Sequence, residues 1–300
     1  MSRATAYAAL TGAVVFWGGS FVATKVVLRE LSPAVMVTVR FGIGCAVLAA
    51  TLLMRRSFWL PYRRDLAWAA LLGAIGVTFH QWLQANGLLT SAASVSAWIV
   101  ATTPVFVALL GWIVLREKIT VPRVAGILLA AAGMSLVVSH GDLAGLFAGR
   151  GRVPGDWLVL LSAANWAVFT ILSKRVIGQS EASPAKKDRS TVLMFFVLAF
   201  GLLFCLPWLA LEGGAEGLWS LSSTGWWALV YLGIACSGLA YIFWYAGLER
   251  ADATQVGAFL YLEPMVTSLV AAPVLGEPIT ASLLVGGVGI LIGLWLVNRV

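Results

Sequence analysis

Ten apolar stretches follow one another along these 300 residues, near 4–25, 33–54, 66–88, 92–114, 121–139, 156–177, 191–211, 225–247, 252–274 and 279–298, separated by charge, Pro or Gly clusters. A hydrocarbon core of about 30 Å takes about 20 apolar residues in helical form. Inside lipid the backbone groups must be paired within the segment, so runs of this length are helices; a barrel would show short alternating segments instead. The sequence therefore predicts an all-α integral membrane protein with ten transmembrane helices. Only 11% of the residues are charged and 60% are hydrophobic, where soluble domains carry about 25% charged residues. The bias runs through the whole chain, which excludes a soluble domain on a single anchor. The first run starts at Ala4 and holds Trp17-Gly18-Gly19-Ser20 rather than a small-residue cleavage site, so it reads as a permanent helix and not a leader.

A net charge of +7 would fit a nucleic-acid partner if the basic residues made one patch, but they sit between the apolar runs. The second connection carries Arg55, Arg56, Arg63 and Arg64, and the fourth Arg116, Lys118 and Arg123. The sixth carries Lys174, Arg175, Lys186, Lys187 and Arg189, the eighth Arg250, and the tail Arg299. The odd connections hold only Arg29, Arg150 and Arg152. Basic loops stay in the cytoplasm, so both termini are expected there, with the chain in a plasma (bacterial inner) membrane. Its surroundings are the lipid bilayer, with no nucleic acid. Fourteen Trp suit the two membrane interfaces. Cys45, Cys205 and Cys236 lie inside apolar runs with no metal-ligand or disulfide spacing, and read as packing residues. No cofactor or metal is expected.

Shifted by 160, the chain aligns with itself without a gap from Leu72 to Val137. Leu72-Gly73 meets Leu232-Gly233, Pro104 meets Pro264, and Glu117, Ile119 and Thr120 meet Glu277, Ile279 and Thr280. A shift of 149 puts Trp17 on Trp166 and Lys25 on Lys174. Greasy stretches alone would match Leu to Leu, but not Glu, Pro, Gly and Thr in one register. The expected organisation is a five-helix repeat over 1–140, a connector over 141–155 and a second five-helix repeat over 156–300. Five is odd, so the second copy enters the membrane in the opposite sense. Inverted repeats with a site near the midplane belong to secondary transporters, where exchanging the halves' conformations exposes the site to alternate sides.

Trp17-Gly18-Gly19-Ser20-Phe21 with Lys25 resembles the first-helix signature of EamA-type members of the drug/metabolite transporter superfamily. Pro33 with Arg40-Phe41, Pro104 with Leu115-Arg116-Glu117-Lys118-Ile119, and Glu263-Pro264 with Leu275-Gly276-Glu277-Pro278-Ile279 resemble its later marks. The likeness covers essentially the whole chain and is similar to the YddG-type aromatic amino-acid exporters within it. It implies ten helices, a central cavity lined mainly by helices one, three, four, six, eight and nine, and export of small metabolites.

Polar groups at membrane depth face a partner or a wet cavity, because burying them in lipid is costly. His80 and Gln84, four apart, share a face of the third helix with Gln81 to the side. Cavity lining and helix–helix hydrogen bonding both fit that band. Under the 160 shift Tyr241 mirrors Gln81 and Trp244 mirrors Gln84. His80, Gln84, Tyr241 and Trp244, with Trp17, Ser20, Trp98, Trp166, Tyr261 and Glu263, make the candidate substrate-binding set. The aromatic rings serve either as packing or as flat apolar walls that attract an ammonium group. Glu263 could hold a substrate amine, couple to protons or brace the kink at Pro264. Pro104 and Pro264 are candidate hinges. Arg40, two turns into the second helix, is either a functional cation or a structural one that pairs with carbonyls or snorkels outward, and reads first as structural, while Glu117 and Glu277 read as caps or loop contacts. Gly126, Gly133, Gly286, Gly287, Gly289 and Gly293 give helices five and ten small faces for close packing.

A membrane-embedded enzyme would need paired carboxylates, HExxH or Ser with His, and none is evident with two His and thirteen acidic residues. No Walker motif is present, so the chain is not read as an ATP-driven pump. The expectation is a non-enzymatic exporter of small metabolites, amino acids and especially aromatic ones, working by alternating access as one chain. Export of other small molecules or drugs (nucleobase, sugar-like or cationic compounds) and a channel-like facilitator are the alternatives.

Overall fold

The computed structural model describes residues 3–115, 120–144, 153–179, 188–248 and 259–298. Among them every regular element is helical. Helix α1 is Arg3–Val27 and α2 Pro33–Met54. Helix α3 runs Arg63–Thr90, with a π-helical stretch at Gly73–Phe79. Helix α4 comes in two pieces, Ala93–Val100 and Thr103–Leu115. Then follow α5 (Val121–Val138), α6 (Pro154–Gln179) and α7 (Arg189–Leu211). Helix α8 joins Ser223–Tyr231, a π-helical Leu232–Leu239 and Ala240–Leu248. Helix α9 is Glu263–Leu275 behind a 3-10 turn at Leu260–Leu262, and α10 is Ala281–Asn298. Among the described residues six helices are long and apolar enough to cross a membrane by length and composition: Tyr7–Val27, Pro33–Met54, Arg63–Thr90, Pro154–Ser173, Arg189–Leu211 and Ser223–Trp244. Four shorter apolar helices accompany them, Ala93–Val107, Val124–Val138, Leu260–Leu275 and Ala281–Leu296. Each lies on an apolar run read from the sequence. The start of the ninth run lies outside the described residues, as do Arg116, Glu117, Lys118, Arg150, Arg152, Lys186, Lys187, Arg250 and Arg299.

The helix starts follow from local chemistry. Ser32 accepts a hydrogen bond from Val35 N at 3.4 Å with Pro33 just inside α2, and Ser222 accepts one from Gly225 N at 3.1 Å at the start of α8. The fourth run is not the single helix expected. Pro104 lacks the N–H that would bond Val100 O, and Thr103 Oγ1 donates to that carbonyl at 2.6 Å instead. Thr102 Oγ1 does the same for Ile99 O at 2.6 Å, so the interruption leaves no orphaned acceptor at either point.

Helices α2 and α7 run antiparallel: Glu212 at the end of α7 accepts from Ala34 N at 3.2 Å, and Arg55 at the end of α2 pairs with Asp188 at 3.3 Å. Helices α5 and α10 also oppose each other. A β-carbon at Gly133 would lie 2.5 Å from Gly286 O, and one at Gly293 would lie 2.6 Å from Gly126 O. Side-chain-free faces let these backbones touch, where dispersion and lipid release stabilise the pair. Most of the other packing crosses between the expected halves. Helix α2 packs on the π stretch of α8, and α7 on that of α3. Helix α1 packs on α8 and α9, and α6 on α3 and α4. Large apolar side chains such as Leu128, Leu203, Leu269 and Leu284 point outward, the reverse of a water-soluble surface.

Odd connections gather at one end. Lys25 donates to Ser91 O at 2.7 Å, Gly155 N to Thr90 Oγ1 at 3.0 Å, and Ala93 N to Glu277 at 2.7 Å. Glu30 meets Ser222 at the same end. The Arg55–Asp188 pair ties the second connection to the sixth at the other.

Candidate functional site

The two π stretches widen α3 and α8 where these cross the middle of the bundle, and a widened turn leaves a carbonyl open to a side chain. Asn165 Nδ2 of α6 donates to Ile75 O at 2.9 Å, and Trp17 Nε1 of α1 donates to Cys236 O at 3.0 Å. These bonds fix α6 against α3 and α1 against α8. A cavity of about 100 Å³ lies between them, room for several water molecules.

Its wall takes Trp17, Ser20 and Phe21 from α1, Arg40 from α2, and His80, Gln81 and Gln84 from α3. The interruption in α4 contributes Val100, Ala101, Thr103 and Pro104. Trp166 of α6, Tyr241 of α8, and Leu260 and Glu263 at the start of α9 complete it. Trp17 packs on Tyr241 at 5.5 Å and on Trp244 at 5.1 Å between ring centroids. Trp166 packs on His80 at 4.8 Å and on Phe169 at 4.7 Å. His80 Nδ1 lies 3.1 Å from Ser162 O. A carbonyl only accepts, so that nitrogen carries the hydrogen and a neutral ring keeps Nε2 as an acceptor. Ser20 Oγ donates to Trp17 O at 2.6 Å.

Seven of the ten sequence-selected binding residues thus share one wall: Trp17, Ser20, His80, Gln84, Trp166, Tyr241 and Glu263. Three do not. Trp98 is buried against Gly287 of α10, Trp244 sits behind Trp17, and Tyr261 packs with the cluster around Trp98. Trp98 Nε1 has no hydrogen-bond partner among the described residues. Of the two candidate hinges, Pro104 lies on the wall just past the interruption of α4, while Pro264 is buried in the first turn of α9. Phe21, Val100, Ala101 and Leu260 also line the cavity but carry no polar signal in the sequence, and Arg40, which reads there as structural, lines it too. Its depth in an apolar run was the available clue. Glu277, read as a cap, caps α4 with both oxygens. Among the described residues no group of three His, Cys, Asp or Glu could hold a metal.

The model of the EamA-like transporter family matches this sequence twice, over residues 4–139 and 153–299. The chain belongs to the EamA-like transporter family. It is a membrane protein of transporter type, and the family gives no reason to read it as an enzyme. An uncharacterized transporter of Archaeoglobus fulgidus is 30% identical over 283 residues, covering 94% of this chain and 93% of that one. A probable terminal-alkyne amino-acid exporter of Streptantibioticus cattleyicolor is 29% identical, covering 100% and 95%. A probable amino-acid metabolite efflux pump of Salmonella typhimurium is 29% identical, covering 99% and 95%. The similarity to all three runs end to end.

Proposed function

We propose that this EamA-like protein exports small amphipathic metabolites, amino acids foremost and aromatic ones among them, by alternating access through the central cavity. Ten membrane-spanning helices in two inverted five-helix repeats, over 1–140 and 156–300, form the machine, with both termini in the cytoplasm of a bacterial inner membrane. One chain suffices to build the pathway.

The cavity carries the reading: aromatic faces, a guanidinium, a carboxyl group and a handful of neutral hydrogen-bonding side chains enclose it. Apolar pockets with a few convergent polar groups hold small organic molecules. The duplicated family match, the antiparallel α2/α7 and α5/α10 pairs and the paired π stretches support the inverted repeat. The two curated relatives with amino-acid names support the substrate class. The packing of α1 on α8 and α9, and of α6 on α3 and α4, supports those mixed bundles, in place of the sequence halves, as the rocking bodies. Pro104 and Pro264 lie where helices are interrupted or begin, as hinges must.

Counterflow of labelled phenylalanine into proteoliposomes, with and without a pH gradient, tests this. Saturable uptake driven by internal unlabelled amino acid is expected. Flux without counterflow would make the protein a channel, and a panel answered by cationic drugs or sugars alone would move the substrate class.

A further inference from the structure

Arg40 is 6% exposed, and an unpaired cation at membrane depth is strongly disfavoured. Yet its hydrogen bonds go to neutral acceptors: Nε to Ser237 Oγ at 3.1 Å, and Nη1 to Gln81 Oε1 at 3.5 Å. The second is at the outer limit of a hydrogen bond. No carboxylate lies within ion-pair distance of it among the described residues, unlike Arg55, which pairs with Asp188. A guanidinium has five N–H donors, and beyond Ser237 and Gln81 it meets no further acceptor among the described residues, while the residue lines the cavity. Glu263 lines the same cavity, and no described residue hydrogen-bonds its carboxyl group. A guanidinium and a carboxyl group therefore face one small space without meeting each other.

We propose that Arg40 is the receptor for a substrate carboxylate, and that Glu263 takes the ammonium group of the same molecule, so the cavity selects zwitterionic amino acids. A guanidinium edge matches a carboxylate with two parallel hydrogen bonds, which an ammonium from Lys cannot reproduce. Ser237 and Gln81 hold the guanidinium in place from α8 and α3, leaving that edge for the ligand. The aromatic rings of Trp17, Trp166 and Tyr241 then accept the side chain. This rests on the reading of the cavity as the transport site, and it narrows the substrate class to molecules bearing both charges.

The test is competition against labelled phenylalanine counterflow in proteoliposomes of the full chain. The competitors are phenylalanine, phenylalaninamide, 3-phenylpropanoate and phenethylamine. Wild type should favour phenylalanine over the amide and over the propanoate by about 10- to 100-fold each. Arg40→Gln should abolish the preference over the amide, and Arg40→Lys should recover it in part. Glu263→Gln should abolish the preference over the propanoate. Quenching of tryptophan fluorescence by the same compounds in detergent gives a second readout on wild type that needs no variant to fold. Equal competition by phenylalanine and phenylalaninamide in wild type overturns the proposal while leaving transport intact. Counterflow of no compound overturns the transport reading, and binding of phenylalanine no tighter than the amide then removes this proposal as well.

Discussion

Glu30, between α1 and α2, accepts from Ser222 Oγ at 2.6 Å and from Ser222 N at 2.8 Å, while Ser222 also caps α8. Those two bonds, the side-chain one foremost, hold the Glu30 carboxyl below its ordinary value. A depressed acid contributes stability that is present above its unfolded value and is lost as pH falls through the folded one. Glu30 is open to solvent, so the contribution is screened and small. Glu30→Gln should therefore lower Tm on the order of 1 °C at pH 7, and the two proteins should melt together once pH is brought beneath the carboxylate range. A gap that persists in acid would mean the carboxylate has no such role. At this scale the sequence conveys depth but not direction. Trp17 and Trp98 both read as aromatics within the bundle, yet one lines the cavity and the other fills the space over Gly287. Arg40 reads as a snorkelling or structural cation until the missing carboxylate is visible, because the absence of a partner is a property of the assembled bundle.

The α5–α10 contact is the element most readable from sequence, since glycines at one-turn spacing have little reason to exist in lipid other than close approach. Gly133→Val should cost about 1–3 kcal/mol, because its side chain would push into the Gly286 backbone. Gly42 lies mid-helix in α2 with nothing within 4 Å of an added β-carbon. Gly42→Ala should leave Tm unchanged or raise it slightly, Ala being the better helix former. Thermal unfolding in detergent separates the two. The spans themselves were legible because hydropathy and length are summed over some twenty residues. The two π stretches were not, since Gly73–Phe79 and Leu232–Leu239 have no composition that distinguishes them from α-helix. The interruption in α4 was half legible. Pro104 announces a lost hydrogen bond, but the two Thr hydroxyls that satisfy the freed carbonyls are recognisable only once their distances are known.

At the scale of the molecule, the Glu277 carboxylate is one of the ties that fasten the end gathering the odd connections. Glu277 accepts from Ala93 N at 2.7 Å, from Ser94 N at 2.9 Å and from Ser94 Oγ at 2.5 Å, tying the approach to α10 onto the start of α4. Glu277→Ala should loosen that end. With Ser20→Cys as a reporter in a background without Cys45, Cys205 and Cys236, labelling by a membrane-impermeant maleimide should rise several-fold. Unchanged labelling would show that the fastening lies elsewhere. The crossing of α1 onto α8 and α9, and of α6 onto α3 and α4, has a different consequence. A chain severed within 141–155 yields two pieces that each lack the packing surface for their own first helix. Neither should fold when produced alone, and both should be recovered as one complex when produced together. On the proposed inverted repeat, the duplicated unit is then an obligate partner of its own copy, and an ancestor of half this length would have had to work as an antiparallel pair.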